Sequence, residues 1–135
     1  METVKTYAFQ QVLDTTFEDT LSRVTEALKS EGFGVLTEID VKAVLKKKLD
    51  QDFRKCVILG ACNHPFAHQS LQADLDVGLL LPCHVILYET DDRKPHIAAI
   101  NPVSALQVIN NEKLKSIAEQ VSEKLEKVIK KASEG

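Results

Sequence analysis

Cys62, His64 and His68 fall within the stretch Leu59-Gly-Ala-Cys-Asn-His-Pro-Phe-Ala-His-Gln-Ser-Leu71, and Cys83 and His84 within Gly78-Leu-Leu-Leu-Pro-Cys-His-Val-Ile-Leu-Tyr-Glu89. Sulfur and imidazole are the groups here able to attack, carry electrons or ligate a metal. Cys62 closes an apolar run just before a helix start. Backbone N–H groups and the helix dipole at such a place favour the thiolate, the reactive form. If the strands carrying Cys62 and Cys83 are neighbours, the pair could cycle between dithiol and disulfide, although no Cys-x-x-Cys motif is present. Cys62, His64 and His68 also supply nitrogen and sulfur donors that zinc or iron-group metals accept, and the two histidines have helical spacing for one face. No Glu follows His64 in a zinc-protease pattern. Cys83 and His84, adjacent on a strand, point to opposite faces. Each candidate has a packing alternative: Cys as a small buried hydrophobe, the role assigned to Cys56, and His64 and His68 in a core or dimer interface. Asn63 and Asn101-Pro102 mark helix starts that could hold an anion or simply be capped. The ligand- or anion-binding candidates are therefore Asn63, His64, His68 and His84. No nucleophile elbow and no apolar pair of carboxylates is visible.

The elements that must position these groups follow from periodicity. Alternation makes Val4–Leu13 a strand. Thr15 with Glu18, or Thr16 with Asp19, has capping-box spacing for a helix carrying Phe17, Leu21, Val24 and Leu28 and stopped at Gly32. Phe33–Ile39 alternates as a strand, and Asp40 caps a short helix with Val41, Val44, Leu45 and Leu49. Its Lys46, Lys47 and Lys48 suit the negative end of the dipole. Cys56–Cys62 is apolar without alternation, a strand covered on both faces. A helix over His64–Ala73 would place His64, His68, Leu71 and Leu75 on one stripe and Phe66 elsewhere. Leu81–Glu89 and His96–Ile100 form a hairpin around a polar loop. Pro102 opens a short helix, and Asn110-Asn111 introduces a last helix with Leu114, Ile117, Val121, Leu125 and Val128 in register, fraying over 132–135.

The 135 residues suit one domain, with 44% apolar and 27% charged residues, the balance of a globular chain. A net charge of −3 with 5% aromatics and no Trp argues against a nucleic-acid surface. No apolar run approaches the roughly 18 residues of a membrane span, and the first residues have no signal-peptide pattern. These features place the protein in the cytoplasm with no membrane partner, where three cysteines, an odd number, stay reduced. The expected fold is α+β: a single two-layer domain over 1–135, with a mixed sheet of about five strands packed with four or five helices.

Four segments together resemble the domain-of-unknown-function 302 family of small bacterial and archaeal proteins. They are Glu31-Gly-Phe-Gly-Val-Leu-Thr-Glu-Ile-Asp-Val41, Leu59-Gly-Ala-Cys-Asn-His-Pro-Phe-Ala-His68, Gly78-Leu-Leu-Leu-Pro-Cys83 and Asn101-Pro-Val-Ser-Ala-Leu106. The resemblance implies a compact α+β domain associating as a homodimer, and it brings no reaction, cofactor or catalytic residue. Cys62 and Cys83 match cysteines of one branch. Pro often stands in the family where this chain has His64, and Asn where it has His84. Three functions follow: a homodimeric small-ligand or interaction module, ranked first; a thiol-dependent sulfur or redox carrier using Cys62 and Cys83; and a metal-binding protein using Cys62, His64 and His68.

Overall fold

A computed structural model describes residues 7–135; the start of the first expected strand, at Val4, lies outside them. In chain order the elements are β1 (Ala8–Val12), α1 (Phe17–Ser30), β2 (Gly34–Asp40), α2 (Val41–Leu49), β3 (Cys56–Cys62), α3 (His64–Ala73), β4 (Cys83–Glu89), β5 (Pro95–Ile100), α4 (Pro102–Ala105) and α5 (Glu112–Glu134). Short 3-10 turns cover Leu75–Leu80 and Leu106–Val108.

The α1 helix begins as its sequence requires. The Asp19 N–H donates to Thr16 Oγ1 at 3.0 Å. The Asp19 carboxylate turns instead to the Thr15 hydroxyl at 2.9 Å and to Arg23 at 2.9 Å, so the reciprocal half of the capping box is not made. At its far end Gly32 takes φ +84, the left-handed conformation that favours glycine after a helix. α5 does not fray over 132–134: the Gly135 N–H bonds to Lys131 O at 3.1 Å, and Arg23 donates to Ala132 O at 3.4 Å. Lys131 also pairs with Glu31, holding that carboxyl below its ordinary range.

The α+β class and five strands agree with the sequence, but the mixed sheet does not. Every pair is antiparallel, in the order β1-β5-β4-β3-β2. The reason lies in the connections. α2 and α3 each join neighbouring strands, so the chain returns alongside the strand it left and neither helix makes a parallel crossover. α1 alone links the two edge strands.

Both long helices cover one face. Phe17, Val24 and Leu28 of α1 and Ile117, Val121, Leu125, Val128 and Ile129 of α5 meet Phe9, Val57, Leu59, Val85, Leu87, Ile97 and Ala99 of the sheet in one core. Alternation along each strand sends the intervening residues to the other face. No described helix belongs to a core cluster on that side. The registers place Ile39, Ile58, Ile86, Ala98 and Gln10 in one cross-strand row there, and Cys56, Tyr88, His96 and Val12 in the next.

Candidate functional site

β3 and β4 are neighbours, as a thiol pair would require, and Ala61 stands opposite Cys83 in the ladder. Cys62 and Cys83 therefore lie at the same end of the sheet. Both line a cavity of ≈ 40 Å³ with Phe33, Phe66, Pro82 and Val121. Alternation nevertheless gives them opposite parity. Cys83 shares the parity of Val85 and Leu87 and packs against the core, whereas Cys62, the last residue of β3, has the parity of Ile58 and Gly60 yet still borders the cavity.

Their electrostatics oppose a resting thiolate too. Burial pushes the Cys83 thiol up to about 11, and a charge on Cys62 would raise it further. Burial also raises Cys62, and Cys56 is raised by burial and by Asp40. Apolar surroundings outweigh the helix terminus that follows Cys62.

The proposed metal set does not assemble. His64 and His68 are exposed on the outer side of α3, while Phe66 and Ser70 turn inward. Among the described residues no three His, Cys, Asp or Glu side chains gather to hold an ion. The His64–His68–Leu71–Leu75 stripe has the spacing read from sequence, but it faces outward. Leu75 is 80% exposed and Leu79, one turn on, 87%. Asn63 makes no side-chain cap; its buried amide donates to Glu31 O at 3.4 Å, fastening α3 to the end of α1. His64 lies beside Gly34 at the start of β2, its Cε1 3.4 Å from where a Cβ would sit. Asn101 behaves as a cap: its Oδ1 accepts from the Val103 N–H and the Ser122 hydroxyl, each at 3.1 Å.

His84 belongs to a different place. It lines a hollow of ≈ 210 Å³ on the open sheet face, together with Tyr7, Gln10, Ile86, Tyr88, His96 and Ile100 above the small side chains of Ala8 and Ala98. The ring of Tyr88 stacks on His96, centroids 4.5 Å apart and planes 22° from parallel. Gln10, only 9% exposed, has no side-chain hydrogen-bond partner among the described residues. Sequence reasoning found His84 here but missed Gln10, Tyr88 and His96. Alternation assigns each to a strand face, yet only the order β1-β5-β4 brings the three strands together.

A second uncovered surface lies at the β2 edge. No residue of α2 is fully buried, and Val35, Leu36, Ile39, Val44, Leu49 and Phe53 all remain exposed. Leu36 is 56% and Leu49 63% accessible. No helix among the described residues is long and apolar enough to cross a membrane.

The model of the family described as domain of unknown function DUF302 matches residues 9–132. The crystal structure of an uncharacterized conserved protein DUF302 from Bacillus stearothermophilus is similar to this chain, with a TM-score of 0.87 and 30% identity, covering 95% of this chain and 99% of that one. No curated protein matches.

Proposed function

The chain belongs to the DUF302 family, and within it we propose a homodimeric binding module whose uncovered sheet face is the recognition surface. The carrying observation is the division of the molecule. One sheet face and both long helices close the core, while the opposite face keeps an apolar floor rimmed by aromatic, imidazole and amide groups. Pockets that bind small molecules have this mixture of apolar walls and a few polar groups. The thiols favour binding over covalent chemistry, because burial keeps Cys62 and Cys83 protonated near neutral pH. The module belongs in the reducing cytoplasm, where Cys56, Cys62 and Cys83 stay thiols.

The homodimer forms at the other uncovered surface. β2 is an edge strand, so its outer backbone groups have no neighbouring strand in the described sheet. Exposed edges are templates for pairing with another chain. Six large apolar side chains exposed within 35–53 supply the area that a soluble monomer rarely leaves open. β2 against β2 about a two-fold axis satisfies both and leaves the hollow, on the other half of the sheet, accessible. Sedimentation velocity tests it. The expected mass is twice the 15.0 kDa of one chain; a single 15.0 kDa species at every concentration would overturn the dimer.

A further inference from the structure

The hollow on the open face has a chemistry that narrows its occupant. Its depth comes from two small residues, Ala8 and Ala98, on adjacent strands, between the longer Ile86 and Ile100. Its volume of ≈ 210 Å³ falls below the roughly 300–1,000 Å³ of sites for drug-sized molecules, which suits one small ring system. Among the described residues no Lys, Arg, Asp or Glu lines it. A charged ligand would lose its hydration there without gaining a counter-charge.

Gln10 supplies the polar recognition. The residue is 9% exposed, lines the hollow and makes no side-chain hydrogen bond among the described residues. Its amide is not sealed away as Gln11 Oε1 is, so it borders the hollow where a ligand can reach it. Its NH₂ and C=O lie in one plane, so it matches a ligand edge presenting an acceptor next to a donor with two parallel hydrogen bonds. The stacked Tyr88 and His96 rings provide an aromatic wall beside it.

We propose that this hollow binds an uncharged planar heteroaromatic ring bearing a carboxamide-like donor–acceptor edge, which Gln10 pairs while the ring packs against Tyr88 and His96. The inference rests on the reading of the open face as the recognition surface and needs nothing from the β2 edge.

Nicotinamide is the probe, and nicotinate, the same ring with a charge and no donor, is the control. Both are titrated into the isotope-labelled full chain and followed by two-dimensional NMR. Nicotinamide is expected to move the Gln10 side-chain NH₂ and the amides of Ala8 and Ala98, with affinity of about millimolar order for so small a molecule. Nicotinate should bind at least about tenfold more weakly, and Gln10→Leu should weaken nicotinamide by about tenfold or more, since the carboxamide then goes unpaired. Ala98→Leu, directly opposite Gln10 in the β1–β5 register, fills the hollow while keeping the amide in the chain and should abolish the shifts in a chain whose circular dichroism is unchanged. Equal binding of nicotinate, full binding to Gln10→Leu, or no shift around the hollow at saturating probe would each overturn the proposal. A chain of twice the monomer mass that shows no shift sinks the ligand alone. A monomer that still shows the shifts sinks the dimer and leaves the hollow standing.

Discussion

Cys62 and Cys83 are one step apart across the β3–β4 ladder and border one cavity, but only Cys83 packs against the core. The consequence for stability has a definite sign. The Cys83 thiol ionises at about 11 in the fold against an ordinary value of 9.0, because burial penalises the thiolate. An unfolded chain releases that proton first. The contribution is therefore complete below about pH 9 and is lost as pH rises through about 11, a difference of about 2–3 kcal/mol for a shift of this size. Other groups titrate in the same range, so the contrast with Cys83→Ala carries the test. Urea unfolding from about pH 8 to about pH 11 should show wild type losing about 2 kcal/mol more than the variant. Parallel pH profiles would sink the argument. The same protonated state predicts that native Cys83 reacts with a disulfide reagent at neutral pH at least about tenfold more slowly than in urea, since the thiolate is the nucleophile. Equal rates would mean that this thiol is neither buried nor raised. Residue types were legible in the sequence; their directions were only partly so. The opposition of Cys83 and His84 follows from alternation alone. For α3, both stripes carried apolar residues, Leu71 with the histidines and Phe66 on the other side, so periodicity gave the faces without saying which one met the core.

The elements themselves were mostly readable, because their signals are local. Thr16, Asp40 and Asn111 cap α1, α2 and α5, and Gly32 follows α1. Strand partners were not readable, because pairing joins segments far apart in the chain. Gly60 shows what that hides. In the sequence it is one small residue in an apolar run; in the sheet it is the point where β2, β3 and the chain entering β4 press together. A Cβ there would stand 2.3 Å from Thr37 Oγ1 and 2.9 Å from Pro82 Cγ. Gly60→Ala must push Thr37 or Pro82 aside, and overpacking of this kind costs about 1–3 kcal/mol. Thermal unfolding should show the loss. Thr37→Ala in the same chain should return part of it, since it removes the nearer contact and leaves Pro82 in place. A Gly60→Ala chain as stable as wild type would refute the close approach. A double variant no better than Gly60→Ala alone would place the whole cost on Pro82.

At the scale of the molecule, the antiparallel order β1-β5-β4-β3-β2 separates two groups of exposed residues at opposite ends of the sheet. The β1-β5-β4 half holds the hollow, with Gln10, Tyr88 and His96 contributed by three strands. The β2 half exposes Leu36 and Ile39 beside the unburied α2. Neither grouping exists until the strands are ordered, which is why a chain read by periodicity yields an α+β class and not a site. If the halves act separately, substitutions in one leave the other untouched. A contact about a two-fold axis repeats every residue, so Leu36→Asp introduces two carboxylates at once, close to the axis and against apolar neighbours. The expected result is a monomer whose melting temperature no longer depends on protein concentration, whereas wild type becomes more stable as concentration rises. Nicotinamide should still bind that monomer. Ala98→Leu should do the reverse, keeping the dimer mass and losing the ligand. If Leu36→Asp abolishes both, the two surfaces are one site shared between copies, and the hollow is completed by the partner rather than by this chain alone.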